Sequence, residues 1–265
     1  MKIVVCVKHV PDIQADRRFT ESGLVDRTGG DGTINELDEN ALEAAVSLVE
    51  SLDGDDHEIV VLSVGPADAE DAVRRGLQMG AQTGVLVSDD AIEGSDVFAT
   101  AALLAAAIRQ IGEVDLVVTG MAALDSLTSL LPSTLAAALD LPALTLASSV
   151  TLADGTVTVT RSRGQVSETL SAALPALVSV TDQANAPRYP NFKMIMAARK
   201  APVTTLTVAD LTPHGLEPAA LGLAGARSEV LEAAPRPARE DRVLVHDDGT
   251  AASRLVAYLA ERSLL

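Results

Sequence analysis

Three features of the sequence predict an α/β protein built on a doubly wound, mostly parallel sheet, with a small antiparallel extension and an extended C-terminal arm. Short β-branched runs alternate with longer helical segments as far as residue 141, the alternation of βαβ units. The first run, residues 2–7, is almost continuously apolar, as suits a strand covered on both faces. Beyond Pro142 the alternation gives way to shorter runs separated by turns, which is antiparallel patterning.

The opening strand ends at Lys8-His9-Val10-Pro11-Asp12, and a polar, glycine-rich stretch to Gly32 makes an unusually long first connection. Asn35 and Asp38 offer caps for a helix reaching residue 52, with Leu37, Ala41, Leu42, Ala45 and Leu48 as its apolar stripe. Residues 58–63 form the second strand, stopped by Gly65-Pro66, and residues 68–79 the next helix, stopped by Gly80; residues 83–87 are a third strand. An alanine-rich helix over residues 96–111 leads to a fourth strand, residues 115–119, ending in Gly120. After a loop, a helix begins at about Ser126, with Pro132 in its first turns.

Residues 144–150, 155–161 and 166–172 read as an antiparallel meander, and residues 176–181 as another apolar strand. A two-proline loop over residues 185–200 feeds a short amphipathic helix. From Val203 the chain is rich in Pro, Ala and Glu with little periodicity until a final helix near residues 251–261. The expected division is an α/β domain over residues 1–202 and, over residues 203–265, an arm that packs on something else.

Composition excludes several functions. The 265 residues are 48% hydrophobic but only 2% aromatic, so helix-on-sheet packing rests on Ala, Val and Leu. A net charge of −17 argues against nucleic acid and anionic membrane surfaces, and suits a protein partner with basic patches. Cys6, the sole cysteine, excludes an internal disulfide and any cysteine metal cluster. The opening run is too short for a signal peptide and no run approaches a membrane span, so a cytoplasmic protein without membrane insertion is expected.

Ligands of doubly wound sheets bind beyond the carboxyl ends of the strands, where strand order reverses. Those ends here are Cys6 and Val7, Ser63 to Gly65, and Thr119 and Gly120, small enough for a base and ribose to approach. In the following loop Asp125, Ser126, Thr128 and Ser129 crowd a helix start whose free N–H groups can hold a phosphate. A nucleotide is the ligand this pattern favours; the competing reading is a strand–loop–helix joint that binds nothing. His9 reads as a phosphate contact, a general base or a plain surface residue. No nucleophile triad, paired-carboxylate signature, Walker loop or GxGxxG fingerprint is present, so no catalytic residue is assigned. Phe192, Met194, Ile195 and Met196 make an apolar cluster that suits either a core patch or a docking surface.

Taken in order, the motifs resemble one family, the β subunit of electron transfer flavoprotein (ETF). Val7-Lys8-His9-Val10-Pro11-Asp12 is similar to the family's opening, and Asn35 with Ala41-Leu42-Glu43 to its Asn-plus-Ala-Leu-Glu segment. Gly76-Leu77-Gln78-Met79-Gly80-Ala81, the Asp115-to-Gly120 strand with Asp125, and Leu174-Pro175-Ala176 follow in register. Asn185-Ala186-Pro187-Arg188-Tyr189-Pro190 and Ile195-Met196-Ala197-Ala198-Arg199-Lys200 are the most telling block. Two segments depart from the pattern. Residues 122–130 keep Asp125 but lack the family's two glutamines and second Asp, and residues 161–168 lack its acid-Gly turn. A phosphate held by backbone survives both changes.

The resemblance implies a heterodimer in which the ETF alpha subunit carries most of the FAD while this chain holds a structural AMP. By position, AMP would lie against Cys6, Asn35, Asp38, Val64, Gly120, Asp125, Ser126, Thr128, Ser129, Leu130 and Leu131. Val10, Pro11, Asp12 and Ile13 would approach the flavin. Arg188, Tyr189, Phe192, Ile195 and Met196 would recognise acyl-CoA or related dehydrogenases, with electrons passed toward ETF-quinone oxidoreductase and no catalysis by this chain itself. Two alternatives remain: a bifurcating β subunit that binds a second FAD, and a stand-alone adenine-nucleotide sensor resembling the universal stress proteins. The recognition loop and the arm argue against the second.

Overall fold

The computed structural model describes residues 1–15, 18–28, 32–54, 56–238 and 243–265; parts of the long first connection and of the arm lie outside these. The chain divides into two compact units, Met1–Glu232 and Ala233–Leu265.

In the first unit β1 (Lys2–Cys6) is followed by β2 (His9–Pro11) and β3 (Gly32–Ile34), which pair antiparallel. Then α1 (Glu36–Glu50), β4 (Glu58–Val64), α2 (Glu70–Met79), β5 (Thr83–Val87), α3 (Val97–Ile111) and β6 (Leu116–Gly120) alternate. After α4 (Leu131–Leu139) come β7 (Ala143–Ala147), β8 (Ser149–Ala153), β9 (Thr156–Arg163), β10 (Val166–Ala173) and β11 (Ala176–Val180). The unit closes with α5 (Phe192–Ala198), β12 (Val203–Leu206), α6 (Val208–Leu211) and α7 (Gly222–Gly225). The second unit contains α8 (Ala251–Glu261).

Local chemistry fixes several boundaries. The Asp96 carboxylate accepts the N–H groups of Phe98 and Ala99, both at 3.0 Å, and so starts α3. Gly80 at φ 126° and Gly112 at φ 70° stop α2 and α3 in conformations that penalise a Cβ.

The central sheet is seven-stranded and parallel throughout, in the order β12-β5-β4-β1-β6-β11-β7. From β1 the chain steps outward to β4 and β5, and α3 then returns it to β6 on the other side of β1. Strand order therefore reverses between β1 and β6, as the alternation predicts. Side chains alternate across the sheet: Ile3, Val5, Ile59 and Val61 pack with Leu42, Val73 and Leu77, while Val4, Cys6, Val60 and Leu62 pack with Leu103, Leu104 and Leu135. Each such fully buried aliphatic side chain contributes roughly 1.5–3 kcal/mol, which sets the sheet as the rigid floor of any site at its strand ends.

Four expectations need correction. The helix expected from about Ser126 starts at Leu131, because Leu127 (φ 52°) and Ser129 (φ 53°) adopt left-handed backbone that breaks a helix and Pro132 suits its first turn. The run over 144–150 is two elements: β7 joins the parallel sheet beside β11, and only β8 enters the antiparallel three-stranded sheet with β9 and β10. The first connection is not all loop, since its two ends pair as β2 and β3. Residues 203–206, expected in the arm, form an edge strand on β5, and the first compact unit runs on to Glu232. No helix among the described residues is long and apolar enough to cross a membrane.

Candidate functional site

The site begins with strand register. Cys6 pairs with Leu62 on one side and Thr119 on the other, so these three side chains share the face covered by α3 and α4, and Val64 lies two residues further along the same face. The Thr119 hydroxyl is buried without a hydrogen-bond partner, and so is that of Ser63 on the opposite face. A buried polar atom without a partner is a position where a ligand's polar group gains a bond at little cost. Burial, and then the Asp38 carboxylate, push the Cys6 thiol far above its ordinary range; it is a neutral wall, not a nucleophile.

Gly120 closes the end of β6 against α1. A Cβ there would lie 2.5 Å from Asp38 Oδ1 and 2.7 Å from the Leu37 carbonyl oxygen, so no other residue fits without displacing the helix start. Asp38 itself is buried and its Oδ2 accepts the Lys8 N–H at 2.8 Å. Burial raises its carboxyl to about 7, against hydrogen bonds from Asn35 and Lys8 that favour the charged form. Asn35, at the N-cap position of α1, does not cap the helix. Its Nδ2 donates to the Ala122 carbonyl at 2.9 Å and its Oδ1 accepts the Leu124 N–H at 3.0 Å, which pins the loop after β6.

Asp125 has no exposed side-chain surface. Lys8 Nζ donates to it at 2.9–3.0 Å and Arg27 Nε at 2.6 Å. Burial alone would raise its carboxyl; Lys8 and Arg27 instead hold it below the ordinary carboxylate range. Burial in turn lowers Lys8, opposed by Asp125. Asp125 therefore organises the loop rather than capping α4.

Beyond Asp125 the loop turns outward. The N–H groups of Ser126 and Leu127 donate to the Ala123 carbonyl, and residues 126–130 are exposed. No side chain caps α4, so Ser126, Thr128 and Ser129 leave its first-turn N–H groups free, as a helix N-terminus that receives an anion requires. Thus Cys6, Asn35, Asp38, Gly120 and Asp125 converge at the reversal point, with Val64 on the adjacent strand end and residues 126–131 as the rim. Lys8 and Arg27 complete the cluster. Lys8 was legible as the residue leaving β1; Arg27 carried no sequence signal.

Of the expected flavin-facing residues, Val10 and Pro11 are buried in β2, while Asp12 and Ile13 are exposed. In the loop before α5 the Arg188 guanidinium holds Glu43 through Nε and Nη2 at 2.8 and 2.9 Å, and Glu50 through Nη1 and Nη2 at 2.7 and 2.9 Å. These bonds raise Arg188, and hold Glu43 below its usual range despite burial. Asn185 and Asn40 exchange further hydrogen bonds between loop and α1. Outward from this frame stand Tyr189 and Phe192, 90% and 78% exposed, with Met196 partly exposed and Ile195 half-buried. The apolar cluster is thus split: Met194 turns inward toward Leu77, Gly80 and Ala198, and Phe192 outward.

Parallel strands reversing at β1 and β6 define an α/β protein of the doubly wound class, with a glycine cradle and an uncapped helix start as its candidate ligand site. An electron transfer flavoprotein domain family model matches residues 22–211. Over 266 residues and 99% of both chains, this chain is 38% identical to an electron transfer flavoprotein subunit beta of Mycobacterium tuberculosis, and 37% identical to that of Mycobacterium leprae. It is 33% identical over 269 residues, the full length of both, to the caffeyl-CoA reductase-Etf complex subunit CarD of Acetobacterium woodii. The chain belongs to the electron transfer flavoprotein family, as a β-subunit-type chain of electron transport.

Proposed function

We propose that this chain is the non-catalytic β subunit of a heterodimeric electron carrier and holds AMP as a structural ligand. The observation that carries the nucleotide reading is the unpartnered, buried Thr119 hydroxyl beside Cys6 at the strand reversal, facing the side of the sheet that carries the uncapped α4. Gly120, Asn35 and Asp38 shape the cradle, with Cys6 and Val64 as its walls. Asp125 holds the loop, Ser126 and Thr128 form its rim, and Ser129, Leu130 and Leu131 offer N–H groups to the phosphate. FAD, bound mainly by the alpha subunit, supplies the redox chemistry.

Residues 10–13 would border that flavin. Tyr189, Phe192, Ile195 and Met196 would dock acyl-CoA or related dehydrogenases, on a loop whose shape Arg188 maintains. Electrons would leave toward ETF-quinone oxidoreductase, and the arm, taken as the second unit over residues 233–265 with its amphipathic α8, would pack on the alpha subunit in the cytoplasm. The direct test is to co-express both subunits and follow flavin bleaching with an acyl-CoA dehydrogenase and its substrate. Bleaching that requires this chain supports the assignment; bleaching by the alpha subunit alone removes it.

A further inference from the structure

Residues 18–28 form a closed turn: Phe19 bridges Val25, the Asp26 N–H donates to the Arg18 carbonyl at 2.9 Å, and the Thr20 N–H to the Leu24 carbonyl at 2.8 Å. Arg27 leaves this turn and reaches Asp125, 98 residues away in sequence, at 2.6 Å. Lys8, at the end of β1, reaches the same carboxylate from 117 residues away. The loop after β6 also meets the β2–β3 hairpin directly, because Leu124 lines a small cavity with Val10, Pro11, Ile13, Thr33 and Ile34. Asn35 ties the same two parts, donating its own N–H to the Lys8 carbonyl at 2.8 Å while its side chain holds residues 122 and 124.

We propose that Lys8, Asp125 and Arg27 form a clasp in which Arg27 is a positioning residue. It fixes the turn over residues 18–28 against the nucleotide loop, which itself meets the hairpin edge at residues 10–13 through Leu124. The side chain of Asp125 is fully buried while Lys8 and Arg27 reach it from partly exposed positions, so the carboxylate end of each ion pair is shielded and its cationic end is screened by solvent. Two cations on one carboxylate give the clasp a net positive charge, so the loop can lose Arg27 and still keep Asp125 paired to Lys8. Arg27 is thereby the separable member: its removal frees the turn without uncovering a buried charge. The consequence for this chain is that order at residues 10–13 depends on the loop that, on the reading above, holds the nucleotide.

The test is amide hydrogen exchange on the complex co-purified with its partner subunit, comparing the wild type with Arg27→Ala and Arg27→Lys, alongside a count of acid-released nucleotide. Arg27→Ala should exchange about tenfold faster over residues 18–28, with exchange in β4 and β5 unchanged. Arg27→Lys, which keeps the charge, should restore much of the protection, which a general loss of packing would not allow. Wild-type exchange rates in Arg27→Ala, or no restoration in Arg27→Lys, would overturn the clasp. A wild type that carries no adenine nucleotide beyond one FAD would count against the nucleotide reading alone, since the three proteins still decide the clasp in that state.

Discussion

The Asp38 carboxylate accepts the backbone N–H of Lys8 at 2.8 Å, joining the first turn of α1 to the end of β1. Burial holds that carboxyl at about 7, so the folded protein takes up a proton there that the unfolded chain, with an ordinary carboxyl near 3.8, does not. The Asp38 contribution to stability is therefore complete below the unfolded value and declines as pH rises from about 4 through about 7. The Lys8 amide resonance should titrate with a midpoint of about 7 and lose that step in Asp38→Asn. A midpoint below 5 would mean that the carboxylate is far better solvated than the structure indicates.

Asp125 and Glu43 act in the opposite direction. Their carboxyls lie below the ordinary range, so the stability they add is present at neutral pH and is lost as pH falls through their folded values. Acid unfolding should begin earlier in Arg188→Ala than in the wild type, because Glu43, with 10% of its side chain exposed, loses its partner. Chemical denaturation at pH 7 should show a loss of about 2 kcal/mol. Unchanged stability would mean that solvent replaces Arg188 at Glu43.

Gly120→Ala forces a methyl group onto Asp38 Oδ1 and the Leu37 carbonyl. Overpacking of this kind costs about 1–3 kcal/mol, and here it also moves the cradle. The variant should melt lower and retain less nucleotide after gel filtration; full retention would separate the cradle from the ligand.

Phe192 is exposed and its loop is held by other residues. Phe192→Ala should leave stability within about 0.5 kcal/mol while slowing electron transfer from a dehydrogenase, read as a higher KM for the carrier. An unfolding shift above that range, with KM unchanged, would make Phe192 a packing residue.

The strand–helix alternation and strand ends were legible because burial on both faces leaves a continuous apolar signature, as in residues 2–6 and 58–64. The α4 start was not, because it depends on left-handed backbone at Leu127 and Ser129, residue types that give no sign of it. The edge strand at residues 203–206 is only partly buried and lacks a continuous apolar run, so composition placed it in the arm. Among the site residues, Cys6 and Gly120 could be read from their place at the ends of strands and Asp125 from the loop that follows. The role of Arg188 as a strut on Glu43, and that of Arg27 on Asp125, arise from contacts distant in sequence that no local pattern encodes.

The central claim, an adenine nucleotide held where β1 and β6 part, is tested most directly by releasing the nucleotides of the purified complex with acid and counting them. One FAD and one AMP per complex, with AMP lost in Gly120→Ala while FAD remains, is the predicted result. Two FAD and no AMP would replace the structural ligand with a second redox group, and no adenine nucleotide beyond the single FAD would contradict the site.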